Sequence, residues 1–326
     1  MIVGIECTAH TFGVALVDKS KILSNVRDMY KPVKGGIVPM ESAKHHKGVA
    51  ERLYKEAMRN FNEDKIKAIA LSNAPGLAPC LLEGMSFARK KAMELGVPIV
   101  PVNHCIAHLE IGQSVGAKDP VLLYASGANT QIIAYAAGKY RIFGETLDLG
   151  VGNFLDTFAR HCGIAFPGGP EIEKKARDGE YMELPYSIKG MDVSFSGMLT
   201  KAKQLFDRGE KIENLAYSLQ ETAFAMLVEA SERALAHTGK KELVLGGGVA
   251  CNKRFQEMCR IMCKERGAKY FCPSNDLLVD NAAMIAYTGE IMFDMNKENY
   301  NWDVDKIDIS PRERTDEVVV FWKSKK

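Results

Sequence analysis

The chain has 326 residues, 46% of them hydrophobic and 26% charged, with a net charge of +2. That is the profile of a globular protein of about two domains, and it excludes a disordered chain. The near-balance of charge leaves room only for a local basic face, and no apolar run approaches the ~20 residues of a membrane-spanning helix.

The first half alternates strands and helices. Met1-Ile2-Val3-Gly4-Ile5 reads as a strand and not as a signal peptide. A polar turn, Cys7 to Thr11, leads to strand 12–17, the hairpin residues Asp18-Lys19-Ser20, and strand 21–26. A helix is expected over 41–60, bearing Lys44, His45, Lys47 and Arg52. Strand 67–72 follows, then a loop from Gly76 to Cys80 and a helix from Glu83 to Leu95 carrying Arg89-Lys90-Lys91. Strand 97–102 delivers Asn103-His104-Cys105-Ile106-Ala107-His108-Leu109-Glu110 onto the start of a helix. Two imidazoles four residues apart share one helix face, the spacing a divalent metal needs from two side chains on one element. Cys105 stands where a zinc protease needs glutamate, so that activity is not expected.

The second half repeats the opening plan. Strand 121–125, the turn Ser126-Gly127-Ala128-Asn129, strand 130–135, a loop at 137–139 and strand 140–146 form a second three-strand meander. Two such meanders imply a duplicated domain. The boundary is placed near Lys118-Asp119-Pro120, giving domains 1–118 and 119–326, with the C-terminal segment packing back on the first domain. Helices are expected over 153–161, 171–178, 215–237, 252–266 and 281–293. Strand 242–245 runs into Gly246-Gly247-Gly248, strand 269–272 lies at an edge, and the tail after Asn299 is polar. The eight cysteines contain no C-x-x-C pair and read as reduced thiols of a cytoplasmic protein, with Cys259 and Cys263 as small buried hydrophobes. Three glycine turns, at 126–128, 167–170 and 246–248, favour a bound nucleotide, because such turns bring backbone N–H groups close to an anion. Asp148 and Asp156 are candidate ribose acceptors. No G-x-x-x-x-G-K-[ST] is present, which excludes a P-loop enzyme.

Taken together, these motifs resemble the universal tRNA N6-threonylcarbamoyladenosine transferase family, in its archaeal and eukaryotic form. The resemblance runs from residue 1 to residue 293 and rests on 103–110, 124–130, 144–156, 166–173, 194–197, 246–252 and 279–286. It implies the actin-like, heat-shock-ATPase and sugar-kinase fold: two duplicated α/β domains with a nucleotide cleft between them. It implies His104, His108, Tyr124 and Asp280 as metal ligands, with Fe(II) favoured and Zn(II) the alternative. Tyr124, Ala125, Ser126, Gly127 and Ala128 would bind the acyl-phosphate end of threonylcarbamoyl-adenylate. Asp156, Gly169, Glu173 and Asn252 would hold its adenosine. Ala128 departs from a glycine often found in that turn, and its side chain would narrow the phosphate approach.

The implied reaction moves the threonylcarbamoyl group to N6 of adenosine 37 in tRNAs reading codons that begin with A, and releases AMP. The implied setting is the KEOPS assembly, beside a Pcc-type dimerising subunit, a Bud-type kinase and a Cgi-type subunit, with no membrane partner. A basic surface of Lys44, Lys47, Arg52, Arg89, Lys90 and Lys91 is the candidate tRNA contact. Glu110 and His45 are the nearby candidates for a general base, and Glu110 reads better as a solvated helix residue. Two other functions stay open at this point. One is an acetate- or sugar-kinase-like phosphotransferase; the other is a non-catalytic nucleotide-sensing scaffold.

Overall fold

The computed structural model describes residues 1–32, 36–295 and 304–323, with the side chain of residue 305 left aside. In chain order the first half holds β1 (Ile2–Glu6), β2 (Thr11–Asp18), β3 (Lys21–Met29), α1 (Pro39–Met58), β4 (Ala68–Ala74), α2 (Ala78–Leu95), β5 (Ile99–Asn103) and α3 (His104–Glu110). Its five strands pair in the order β3-β2-β1-β4-β5, antiparallel across the meander and parallel from β1 to β5. The second half holds β6 (Val121–Ala125), β7 (Thr130–Ala136), β8 (Lys139–Glu145), α4 (Val151–His161), α5 (Gly169–Lys175), the short pair β9 (Ile188–Lys189) and β10 (Asp192–Val193), α6 (Ser196–Asp207) and α7 (Ile212–Thr238). It closes with β11 (Glu242–Gly246), α8 (Lys253–Glu265), β12 (Lys269–Phe271), α9 (Asn275–Leu278) and α10 (Ala282–Met295). The order β12-β11-β6-β7-β8 repeats the first sheet's plan, so each half is a meander followed by parallel strands.

Local chemistry explains most boundaries. Lys19 and Ser20 both take positive φ, 50° and 61°, as a two-residue hairpin turn requires. Their amides donate to the Glu290 carboxylate at 2.8 and 2.6 Å. α2 begins at Ala78, five residues before the expected Glu83, because Pro79 lies in the first turn, where its missing N–H costs nothing. α6 was not expected: no element was assigned to 194–197, which Asp148 holds as the start of a helix. That carboxylate accepts from the amides of Phe195 and Ser196 at 3.0 and 2.9 Å and from Ser196 Oγ at 2.6 Å. Asn299, where the polar tail was expected to start, lies outside the described residues.

Among the described residues three large apolar cores hold the molecule, with a small fourth cluster of Ala15, Ala282 and Ala283. One lies behind the second sheet, one behind the first, and a third joins them through α3, β6, β11 and α10. α10 follows the second sheet in sequence but packs on the first. A Cβ at Gly4 would stand 2.3 Å from the carbonyl oxygen of Ala282, so only glycine lets helix and strand approach this closely. Cys259 and Cys263 are buried on α8, as expected of small hydrophobes. No helix among the described residues is long and apolar enough to cross a membrane.

Candidate metal centre and nucleotide face

β5 ends and α3 starts without a connecting loop. Asn103 is the junction: its Oδ1 caps the helix by accepting from the amides of Cys105 and Ile106 at 3.1 and 3.3 Å. His104 and His108 therefore emerge one turn apart on the same face, with ring centroids 4.8 Å apart. Tyr124, next to last in β6, brings its hydroxyl to 3.1 Å from His104 Nε2. Asp280 lies between α9 and α10, in a link fixed by its neighbour. Asn281 Nδ2 donates to the carbonyls of Leu277 and Val279, and its Oδ1 caps α10 at Met284. Asp280 Oδ1 lies 3.3 Å from His104 Nε2 and 3.8 Å from His108 Nε2. One donor atom each from His104, His108 and Asp280 falls within 4.8 Å of the others.

The surroundings suit a bound cation. Both ring nitrogens of His108 are buried and have no hydrogen-bond partner among the described residues. Leaving such groups unpaired in a protein interior is costly. His104 is oriented from behind: its Nδ1 lies 2.9 Å from Glu6 Oε2, and Thr8 holds the other Glu6 oxygen through its amide and hydroxyl at 2.8 and 2.5 Å. A buried carboxylate on the far nitrogen of a histidine fixes the tautomer that offers Nε2 to a metal. Burial pushes the His104 pKa down, but Glu6, Tyr124 and Asp280 outweigh it, and the net shift is well upward. Burial pushes Asp280 up, but the two imidazoles outweigh it and hold it well below the carboxylate range. Burial keeps His108 below its usual pKa. His104 and Asp280 thus favour each other's charge across 3.3 Å, while the buried His108 has Asp280 at 3.8 Å and no hydrogen-bond partner among the described residues.

Glu6 is the residue the sequence reading missed. Its signal was there: a carboxylate closing the apolar strand Ile2-Val3-Gly4-Ile5 and fully buried in the structure. Glu110 overturns an expectation. It is not solvated but fully buried, accepting from Tyr140 Oη and Gln113 Nε2 and paired with Lys323 at 2.8 Å. Gln113 is only three residues on, but Tyr140 and Lys323 lie too far along the chain for spacing to show them. His45 is paired with Asp28 at 3.2 Å.

β6 and β11 are parallel neighbours, so their C-terminal ends lie together, where open α/β sheets bind ligands. The turn after β6 is closed by bonds between Ser126 and Asn129, which leaves Gly127 and Ala128 exposed at its tip. The amides of Gly152 and Asn153 donate to the Ser126 and Gly127 carbonyls, packing α4 on this turn. After β11, Gly247 takes φ +91°, and a Cβ there would stand 2.3 Å from the Ala125 carbonyl. Asp156 Oδ1 accepts from the amides of Gly168 and Gly169, at 2.7 and 3.3 Å, and so shapes the start of α5. Glu173 accepts from the amide of Lys253 at 2.9 Å, next to Asn252, which caps α8 and donates to Gln220. Asp156 is thus tied to Gly169, and Glu173 to the residue after Asn252. Asp148 is not available to a ribose, because its oxygens already hold the amides of Leu149, Phe195 and Ser196.

Comparison with known proteins bears on the same residues. The family profile for tRNA N6-adenosine threonylcarbamoyltransferase matches residues 21–287. A protein of that name from Thermococcus kodakarensis is 52% identical over 98% of this chain and 98% of its own length. The chain belongs to the tRNA N6-adenosine threonylcarbamoyltransferase family. Its relative from Archaeoglobus fulgidus is 48% identical over 98% of both chains. A probable bifunctional tRNA threonylcarbamoyladenosine biosynthesis protein from Methanosarcina mazei is 50% identical over 98% of this chain, which spans 59% of that longer protein.

Solved structures confirm the actin-like fold alone. Full-length HypF, in a phosphate- and nucleotide-bound form, superposes with a TM-score of 0.62 at 12% identity. The match covers 93% of this chain and 56% of HypF. The ADPNP-bound activator of the Clostridium difficile 2-hydroxyisocaproyl-CoA dehydratase gives 0.55 at 11% identity, over 92% of this chain and 98% of its own.

Proposed function

We propose that this family member transfers the threonylcarbamoyl group from threonylcarbamoyl-adenylate to N6 of adenosine 37 in tRNA, releasing AMP. The observation that carries the reading is the His104–His108–Asp280 cluster, set between the two sheets beside the glycine turns at the ends of β6 and β11. His104, His108 and Asp280 would hold one divalent metal, with Tyr124 as a fourth donor. Two imidazoles and a carboxylate suit Fe(II), with Zn(II) the alternative. The metal would supply Lewis acidity and a template for the mixed anhydride.

The chain's own groups do the rest. Glu6 keeps the His104 Nε2 lone pair directed into the site. The turn 126–128 would hold the acyl-phosphate. Asp156, Gly169, Glu173 and Asn252 would form the adenosine side. An exocyclic amine is a weak nucleophile, so holding it against the anhydride should supply much of the rate.

The expected basic face is largely neutralised. Arg52 pairs with Asp28 and Glu56, and Lys90 and Lys91 pair with Glu51 and Glu94. Arg89 donates to the carbonyls of Val304 and Ile307. Of the six residues, Lys44 and Lys47 are exposed cations with no ion pair among the described residues. We therefore infer that partner subunits of the KEOPS kind, Pcc-type, Bud-type and Cgi-type, carry much of the tRNA grip. The test is transfer of a radiolabelled threonylcarbamoyl group to tRNA, with and without those subunits. Label on the tRNA with matching AMP release supports the reading; phosphate transfer from ATP to a small acceptor, without tRNA labelling, would replace it with a kinase.

A further inference from the structure

The C-terminal segment returns from the far end of the chain to the helix that bears both histidines. Its path is pinned to the first half by backbone bonds: Ser310 donates to the Asn73 carbonyl at 2.9 Å, and Gly76 donates to that of Pro311 at 3.1 Å. It then touches α3 at both ends. At the start, Glu313 Oε2 accepts from Asn103 Nδ2 at 2.9 Å. Asn103 is the cap of α3, so Glu313 fixes which way its amide faces. At the finish, Lys323 Nζ lies 2.8 Å from Oε1 of Glu110, the last residue of α3. Lys323 is itself lodged over the rings of Tyr135 and Tyr140, 5.2 Å from each centroid. Its neighbour Trp322 is buried in the core shared by the two sheets, against Tyr140.

α3 is only seven residues long, too short to hold its own geometry without tertiary support. Glu110 is a fully buried carboxylate whose other partners, Tyr140 and Gln113, are neutral. Lys323 is its only positively charged partner among the described residues. Without a counter-ion, such a group must protonate or shift toward water, at a cost to the structure around it. The helix end, with His108 two residues before it, would move with it.

We propose that Glu313 and Lys323 are positioning residues for the metal centre: the returning C-terminal segment grips α3 at both ends and sets the spacing of His104, His108 and Asp280. The inference rests on the metal reading of that cluster.

The experiment measures Zn(II) affinity of the full-length chain by chelator competition. It also measures hydrogen exchange of amides 104–110 in the metal-free protein. Lys323→Met should weaken Zn(II) about tenfold, the scale of an outer-shell loss at a metal site, and should speed exchange at α3. Glu313→Gln should do the same more mildly. Lys323→Arg should restore affinity. The double variant Glu110→Gln/Lys323→Met, which removes both charges, should recover most of it. Arg314→Ala, whose partners are Glu145 on β8 and Asp316, should change neither measurement. Wild-type affinity and exchange in both Lys323→Met and Glu313→Gln would overturn the proposal, as would a loss of affinity that merely tracks the unfolded fraction. A wild type that binds no Zn(II), Co(II) or Fe(II) would instead overturn the metal reading, and the exchange measurement would still decide whether the segment grips α3.

Discussion

Glu6→Gln changes one atom of the site and should weaken it sharply. In the wild type, Glu6 Oε1 accepts from the Thr8 amide and hydroxyl, at 2.8 and 2.5 Å, while Oε2 faces His104 Nδ1 at 2.9 Å. Glutamine fills the same volume but carries one oxygen and one NH2 group. The two Thr8 donors claim the oxygen, so the NH2 turns toward His104. Nδ1 must then accept, and the ring proton moves to Nε2, the nitrogen that faces Tyr124 and Asp280. A metal would have to displace that proton and reverse the amide. Losing an outer-shell partner of this kind costs roughly 10–100-fold in metal affinity, or about 1.4–2.7 kcal/mol. The assay is Zn(II) competition against a chelator, with urea unfolding of the metal-free protein as the control. An unchanged dissociation constant in a folded variant would refute the claim that Glu6 sets the tautomer.

Three further outcomes follow from the same geometry. His46 is fully buried on α1 against Phe12, and burial holds its pKa at about 4, below the usual 6.5. The unfolded chain therefore binds more protons between these values, and stability should fall as pH drops from 6.5 towards 4, by up to about 3 kcal/mol from this group. His46→Leu should flatten that slope in urea titrations at pH 7 and pH 5; an unaltered slope would remove His46 from the account. Asn252→Ala should weaken AMP binding in calorimetry by ~1 kcal/mol. It should also lower stability by about 1 kcal/mol, because Asn252 caps α8; Asn252→Ser separates the two by keeping the cap. Gly247→Ala meets a positive φ and a carbonyl 2.3 Å from its Cβ. It should cost roughly 1–3 kcal/mol in thermal unfolding, and a neutral result would contradict the close approach of β11 to β6.

What the sequence disclosed was local. The two meanders, the Lys19-Ser20 turn and the strand-to-helix step at Asn103 all follow from short-range patterns, and each stands close to where those patterns put it. The i, i+4 spacing of His104 and His108 survives folding because α3 is a helix. Asp280 and Tyr124 came only through family resemblance, since nothing in their own neighbourhood marks them. The misreadings were long-range. Glu110 looked solvated because Tyr140 and Lys323 lie on other elements. Arg52, Lys90 and Lys91 looked like a basic face because neutralisation by Asp28 and Glu51 depends on how α1 packs against β3 and α2. The start of α6 went unassigned because Asp148, from a different turn, helps hold it in place. Glu6 was missed for the same reason, although a carboxylate ending an apolar strand is a legible hint of a buried partner.

The most direct test of the central claim pairs two readings on the same samples, prepared without a histidine tag. Metal content and threonylcarbamoyl transfer to tRNA are measured for wild type, His108→Ala and Asp280→Ala, each assayed with the proposed KEOPS-type subunits added. The account predicts about one metal per wild-type chain, loss of that metal in both variants, and loss of transfer in proportion, while circular dichroism shows folded protein. Stoichiometric metal and undiminished transfer in both variants would contradict it.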